Sequence, residues 1–124
     1  MEVGRIILEY IQGEGVEYFF GVPGGHIGPF FDALYDMAPG IKTILTKHEQ
    51  GAGFMASGYY MASHRVAACG GTVGPGGMNL AAGLHVAYQN SVPVLAITSN
   101  VRGNSLEGVE SKIPADGDPG PFLI

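Results

Sequence analysis

The sequence predicts one α/β domain with an open, mostly parallel sheet and helices on both of its faces. Segments with apolar residues at helical spacing alternate four times with short β-rich or apolar runs, an order typical of a parallel sheet. The 124 residues include 21 glycines and 8 prolines, yet 46% of the chain is hydrophobic and only 14% is charged. A chain of this composition can bury a core, which argues against disorder.

The first half of the chain contains two helix–strand pairs. Residues 2–13 carry apolar side chains at helical spacing, and the aromatic run at 16–20 predicts a strand that ends in a glycine turn. Residues 27–37 predict a second helix, and residues 41–46 a second strand. The side chains expected on the buried face of the second helix are Ile27, Phe30, Phe31, Leu34 and Tyr35.

The second half repeats this order. Residues 51–63 predict a helix of small side chains, residues 66–72 a strand, and residues 78–89 another helix. Residues 92–98 form a nearly continuous apolar run, which is typical of a strand buried on both faces. The predicted element order is therefore αβαβαβαβ.

We place the domain at residues 1–103 and an irregular tail at 104–124. From residue 102 onward the sequence has no clear hydrophobic period and is rich in glycine and proline, so we expect a loop there. The exception is a short apolar end at 121–124.

Charge and cysteine content narrow the class of protein. The net charge is −5 with only 6 Lys plus Arg, so there is no basic field to bind a nucleic acid. Cys69 is the sole cysteine, which excludes an intrachain disulfide, and its place in an apolar strand predicts inert packing. The sequence has no signal-peptide pattern and no apolar run of membrane-spanning length. We expect a cytoplasmic protein.

Four segments follow the predicted strands, at the edge where open parallel sheets bind ligands. They are residues 21–25, 47–50, 72–77 and 99–100. The first and third are rich in glycine and proline, which lets the backbone approach a ligand closely. The alternative is that these glycines only serve tight turns.

The placement of acidic residues singles out Glu49. No Asp or Glu follows it until Glu107. At the end of a strand and before an apolar helix, its carboxyl group would be partly desolvated and usable as a proton donor or relay. An equally good interpretation is an acid that complements the helix dipole. His48 could be a base or a ligand, but a hydrogen-bonded structural histidine is the commoner case.

Familiar catalytic and metal-binding motifs are absent. The sequence contains no GxGxxG, GxxxxGK[ST], HExxH or GxSxG. The four histidines lack the spacing of a zinc helix, and Asp116-Gly117-Asp118 is too short for a calcium loop. We therefore expect no metal site on this chain.

Four ordered segments together resemble one family. They are residues 15–25 (GVEYFFGVPGG) with 31–34 (FDAL), 48–52 (HEQGA) with 54–59 (FMASGY), 72–79 (TVGPGGMN), and 91–94 (SVPV). The chain resembles the N-terminal pyrimidine-binding domain of thiamine-diphosphate-dependent enzymes of the acetolactate synthase and 2-oxoacid decarboxylase group. The resemblance covers roughly residues 3–101.

The resemblance implies a role for each matching residue. In the family, the glutamate matching Glu49 hydrogen-bonds N1′ of the cofactor's aminopyrimidine and so promotes proton removal from C2 of the thiazolium, which then acts as an electron sink. The residues implied to surround the pyrimidine are Pro23, Gly24, Gly25, Thr72, Gly76 and Asn79. His26 and Gln50 are candidates for contact with a 2-oxoacid substrate. Asn90 stands where the family commonly has aspartate.

The resemblance also implies that this chain holds half a site. Family enzymes bind the diphosphate and its Mg²⁺ in a separate C-terminal domain with a Gly-Asp-Gly motif, which Asp116-Gly117-Asp118 is not. Their active site lies between two subunits, so we expect a homo- or hetero-oligomer with a diphosphate-binding domain or chain. Residues 119–124 resemble the strand that closes the family's domain. In that case a helix-bearing segment before them is absent, and the fold is incomplete.

Two other hypotheses compete with a cofactor-activating half-site. The chain could be a non-catalytic fragment or regulatory remnant that only dimerises through the same surfaces. It could also be a generic nucleotide-binding α/β domain, but that class needs an acidic residue about 20 positions after its glycine loop. The acid-free stretch at 50–106 argues against it for the later loops.

Overall fold

The computed structural model describes residues 3–37 and 40–100. Within them four helices alternate with four strands. The elements in chain order are α1 (Val3–Gly13), β1 (Tyr18–Gly21), α2 (Gly28–Asp36), β2 (Lys42–Leu45), α3 (Glu49–Ser63), β3 (Ala68–Gly71), α4 (Pro75–Gln89) and β4 (Leu95–Thr98). The predicted order is confirmed.

The four strands form one parallel sheet in the order β2-β1-β3-β4. In the register, Phe19 of β1 lies between Thr43 of β2 and Ala68 of β3. The prediction of an open parallel α/β sheet is therefore confirmed. The chain goes from β1 to β2 on one side and then returns past β1 to β3, so the connections diverge between β1 and β3. Ligands of open α/β sheets bind at such a point.

The sheet separates two hydrophobic cores, because successive side chains of a strand point to opposite faces. Phe19 packs with α1 and α2 on one face, where its ring lies 5.1 Å from that of Phe30 between centroids. Phe20 packs with α3 and α4 on the other face, together with Cys69 and Leu80. The helices thus cover both faces, as predicted.

Cys69 is fully buried in the second core. Burial disfavours the charged thiolate and raises the pKa of this thiol to about 12. The expectation that Cys69 is inert packing is consistent with this environment.

Three details differ from the sequence prediction. Tyr35 is 85% exposed, because the buried face of α2 is formed by Phe30, Ala33 and Leu34 and the next position turns outward. The prediction that Tyr35 is buried is therefore wrong. The last strand is also shorter than predicted, and its alternate residues Ala96 and Thr98 are exposed. Since alternate side chains of a strand share one face, one face of β4 is left open by the described residues, and the prediction of burial on both faces is wrong.

The third difference concerns helix starts. The structure begins α3 at Glu49 and α4 at Pro75, two and three residues before the predicted starts. Pro75 takes the first helical position, where its missing N–H costs no hydrogen bond, and Gly74 precedes it with a φ of 70°. The glycine–proline segment at 74–77 is thus mostly the first turn of a helix.

Helices α3 and α4 pack closely against each other and meet at two glycines. A Cβ atom on Gly53 would lie 2.8 Å from the backbone carbon of Gly83, and one on Gly83 would collide with the backbone of Gln50. Larger residues at either position would push the helices apart. This crossing sets the distance between the first turns of the two helices.

None of the helices in the described ranges is long and apolar enough to cross a membrane. The domain boundary at residue 103, the irregular tail at 104–124 and the apolar end at 121–124 lie outside the described residues. These three features stay predictions.

A glycine-to-alanine pair on α3 tests the helix crossing. Gly53→Ala should lower the free energy of unfolding by about 1–3 kcal/mol, because the methyl group overpacks the contact with α4. Gly58→Ala meets no atom within 4 Å and should raise it by about 0.5–1 kcal/mol through backbone entropy alone. Urea unfolding followed by circular dichroism measures both. Equal effects of the two substitutions would contradict the close crossing.

Candidate functional site

The candidate site lies at the carboxyl ends of β1 and β3, where the connections diverge. The loop after β1 brings Gly24 against Thr72, which follows β3: a Cβ atom on Gly24 would lie 2.7 Å from Cβ of Thr72. The connection after β2 brings Glu49 to the same place, since a Cβ atom on Gly71 would lie 2.8 Å from Cγ of Glu49. Three segments that are distant in sequence thus meet at one edge.

Glu49 is the first residue of α3 and is buried, with 9% of its surface exposed. It follows the N-cap His48, whose Nδ1 accepts a hydrogen bond from the backbone N–H of Gln50 (N–N distance 3.2 Å). The two interpretations of Glu49 are therefore compatible: it complements the helix dipole and is also a carboxyl group largely removed from water. For His48, the structure supports the structural interpretation.

The Glu49 side chain is enclosed by two glycines and one amide. Gly71 packs against its Cγ, and a Cβ atom on Gly76 would lie 3.0 Å from its Oε1. Asn79 donates a hydrogen bond from Nδ2 to Oε2 of Glu49 (3.0 Å). Within the described ranges Oε1 accepts no hydrogen bond, so one carboxylate oxygen is committed and the other keeps its acceptor capacity.

Thr72 contributes a second polar atom without a partner. Its Oγ1 is buried and has no hydrogen bond to any described residue. It lies beside the backbone of Gly24, while its Cγ2 would be 3.0 Å from a Cβ atom on Gly76. Since buried hydroxyl groups are normally hydrogen-bonded, this one is free to bond a ligand.

Five of the nine residues proposed from the sequence as site residues are thus connected through direct close approaches. They are Gly24, Glu49, Thr72, Gly76 and Asn79. The remaining four residues lie outside this connected group.

Pro23, Gly25 and His26 are exposed in the loop after β1, and a Cβ atom on Gly25 would meet nothing within 4 Å. Gln50 is half-buried and its backbone packs against Gly83 at the helix crossing. None of the described contacts links these four residues to the Glu49 carboxyl group.

Gly71 adjoins the candidate site and was missed by the sequence analysis. It ends β3 and leaves room for the Glu49 side chain. The signal for it was the pair of glycines at 70–71, directly before the segment 72–77. Side chains at the end of a strand face whatever element begins there, so a glycine at this position indicates a close neighbour.

The arrangement can bind a flat polar ring. Oε1 of Glu49 can accept a hydrogen bond or hold a proton, and Oγ1 of Thr72 can donate or accept a hydrogen bond. Within the described part of the chain, no three His, Cys, Asp or Glu side chains are grouped so that they could hold a metal ion.

Comparison with known proteins identifies one family. Residues 1–116 match the family model described as thiamine pyrophosphate enzyme, N-terminal TPP binding domain. The chain is 44% identical over 101 residues, 82% of its length, to a probable acetolactate synthase large subunit of Methanocaldococcus jannaschii. It is 41% identical over 110 residues, 89% of its length, to an acetolactate synthase of Mycobacterium avium.

A third relative, the acetolactate synthase isozyme 2 large subunit of Escherichia coli, is 44% identical over 101 residues, again 82% of this chain. The matched regions make up 17%, 17% and 18% of these three relatives. This chain therefore spans less than a fifth of the length of the curated relatives it matches.

Replacing Thr72 tests whether its hydroxyl group is unpaired. Thr72→Val should leave the free energy of unfolding unchanged or raise it by up to about 1 kcal/mol, because it removes a buried hydroxyl that lacks a partner. The matched control is Thr46→Val, which removes a hydrogen bond from Oγ1 to the carbonyl of His48 (2.9 Å) and should cost about 0.5–1.5 kcal/mol. Urea unfolding measures both. A loss above about 1 kcal/mol at Thr72 would show that its hydroxyl is already bonded in the protein.

Proposed function

This chain belongs to the thiamine pyrophosphate enzyme family, whose N-terminal TPP-binding domain it matches, and we propose that it forms the pyrimidine-side half of a thiamine diphosphate site. Its activity would be completed by a diphosphate-binding domain or subunit. The observation that carries this proposal is the buried Glu49 carboxyl group, which has one oxygen bonded to Asn79 and the other uncommitted.

The residues present fit the pyrimidine end of the cofactor. An aminopyrimidine is a flat aromatic ring that carries ring nitrogens and an exocyclic amine at its edge. Glu49 Oε1 supplies an acceptor or a shared proton, and the unpartnered Oγ1 of Thr72 supplies a second polar contact. Gly24 packs against Thr72, and Gly76 packs against both Thr72 and Glu49, so these glycines let the two polar side chains lie close together. A ring with polar atoms at its edge suits this combination better than a phosphate, which would be repelled by the carboxylate.

When bound, thiamine diphosphate supplies a carbon nucleophile and electron sink that the protein side chains lack. In this proposal Glu49 exchanges a proton with a pyrimidine nitrogen at Oε1 and thereby promotes activation of the cofactor. The enclosure of its side chain by Gly71 and Gly76 excludes water from part of the carboxyl group. Oε1 is the carboxyl oxygen that accepts no hydrogen bond within the described ranges, so it is the atom available for this exchange.

We assign the exposed loop after β1 to the edge of the site. Pro23 and Gly25 would form a wall beside the pyrimidine, and His26 would face the substrate together with Gln50. The position of this loop directly after Gly21, at the carboxyl end of β1, supports the assignment. For the substrate we propose a 2-oxoacid, because the relatives are named as acetolactate synthases.

The diphosphate and Mg²⁺ would be held by a partner domain or subunit. No three potential metal ligands are grouped within the ranges that the structure describes, and Glu49 is a repulsive neighbour for a diphosphate. We therefore propose a homo- or hetero-oligomeric enzyme in which this domain supplies Glu49 and the partner supplies the metal ligands. Decarboxylation or carboligation would occur between the two.

Glu49→Gln tests the proposed role of the carboxyl group. In the full enzyme that carries this domain, the variant should still bind thiamine diphosphate, with an affinity changed by less than about tenfold, the value of one hydrogen bond. Exchange of the C2 proton for deuterium should slow by at least about 100-fold, because an acid–base group is lost. Acid-quenched proton NMR measures the exchange rate.

The matched control is Glu9→Gln on α1, on the other face of the sheet, where the carboxylate is exposed and paired with Arg5. In this variant the C2 proton of the cofactor should exchange at the same rate as in the unaltered enzyme. Near-normal exchange in Glu49→Gln would contradict the proposal and favour a non-catalytic role for the domain.

A binding experiment tests the half-site. Calorimetric titration of the 124-residue chain with thiamine diphosphate and Mg²⁺ should show no tight binding, since the pyrimidine contacts alone hold little of the cofactor. Addition of the diphosphate-binding partner domain should produce binding. Micromolar affinity of the chain without a partner would contradict the half-site, and absence of binding with the partner would favour a remnant that only dimerises.

A further inference from the structure

We propose that Asn79 is a positioning residue that acts on the cofactor through Glu49 and not by touching the pyrimidine itself. Its side-chain amide would hold one oxygen of the Glu49 carboxyl group and so fix the orientation of the carboxyl plane, with the other oxygen facing the ligand. This inference rests on the proposed function of Glu49, and it adds a residue whose task is to orient the acid.

The hydrogen bond between the two side chains defines the orientation of both. Asn79 Nδ2 lies 3.0 Å from Glu49 Oε2. A carboxylate can only accept, so the amide nitrogen and not the amide oxygen must face it. One of the two N–H groups of this amide is therefore engaged by Glu49, and the residue itself is half-buried.

The groups packed around Glu49 leave its carboxyl group free to rotate, and the hydrogen bond from Asn79 restricts that rotation. Gly71 contacts the Cγ atom and Gly76 lies beside Oε1, and neither can donate a side-chain hydrogen bond. The terminal torsion of a glutamate is broad, so packing alone would hold the carboxyl plane loosely. The bond to Asn79 selects one rotation, with Oε2 toward α4 and Oε1 uncommitted.

Asn79 and Glu49 come from different helices and are 30 residues apart in the chain. Their contact depends on the close approach of α3 and α4 at Gly53 and Gly83. A bond of this kind also stabilises the fold, so the test must separate an effect on the acid from an effect on stability.

The first experiment compares binding with proton exchange in the full enzyme. Asn79→Ala should slow C2 proton exchange by about 10- to 100-fold, the factor that a hydrogen bond to a charged group contributes. The affinity for thiamine diphosphate should change much less, because no contact to the ring is lost. The matched control is Asn90→Ala, which removes an amide bond to the carbonyl of Val86 at the other end of α4 and should leave the exchange rate unaltered.

A double-variant comparison separates an indirect role from a direct one. If Asn79 acts through Glu49, then Asn79→Ala should add almost no further slowing to an enzyme that already carries Glu49→Gln. Two results would show that Asn79 contacts the cofactor itself and would overturn the proposal. One is that Asn79→Ala slows exchange in the Glu49→Gln enzyme as much as it does in the unaltered enzyme. The other is that Asn79→Ala lowers the affinity for thiamine diphosphate by as large a factor as it lowers the exchange rate.

A measurement without cofactor keeps the inference testable if the enzyme variants fold poorly. Urea unfolding of the 124-residue chain with Glu49→Ala, Asn79→Ala and both should show coupling of about tenfold in the unfolding equilibrium constant. Strictly additive effects would overturn the Asn79–Glu49 contact. A different result would be energetic coupling of Asn79 and Glu49 together with a normal C2 proton exchange rate in Glu49→Gln. That result would support the contact but contradict the proposed function, so the two failures are distinguishable.

Discussion

The burial of one carboxyl group at the first turn of α3 is the constraint on which the candidate site depends. Glu49 fits there because two of the positions beside its side chain are glycines, Gly71 at the end of β3 and Gly76 in the first turn of α4. Either position with a Cβ atom would displace the acid. Partial charges of the helix N-terminus and the bond from Asn79 offset the cost of removing the carboxylate from water.

The topology of the sheet brings these groups together. The strand order β2-β1-β3-β4 makes the chain return past β1, so the loop after β1 and the segment after β3 become neighbours. The crossing of α3 and α4 at Gly53 and Gly83 then brings the N-terminal ends of both helices close enough for the hydrogen bond from Asn79 to Glu49. The glycine content that marks the sequence thus has two structural uses. It permits the acid to be enclosed, and it permits the helices that carry the acid and its partner to approach.

Much of this architecture could be predicted from the sequence, because alternating periodicity and β-rich runs identify elements well. Tyr35 was mispredicted because helical spacing gives a buried stripe but not its width, and that width depends on the neighbouring elements. The early start of α4 was missed because a glycine–proline segment is also typical of a loop. For the site, Glu49 could be identified from the sequence because no other acidic residue follows it until Glu107. The Asn79 contact was not predictable, since it depends on the distance between two helices, which no local pattern encodes.

The most direct test of the account is a crystal structure of the full enzyme with thiamine diphosphate bound. The account predicts that Oε1 of Glu49 lies within hydrogen-bond distance of a pyrimidine ring nitrogen, about 2.6–3.2 Å, while Oε2 stays bonded to Asn79. It also predicts that Oγ1 of Thr72 gains a partner, direct or through water. A pyrimidine ring bound elsewhere, or a Glu49 side chain turned away from it, would contradict the central claim.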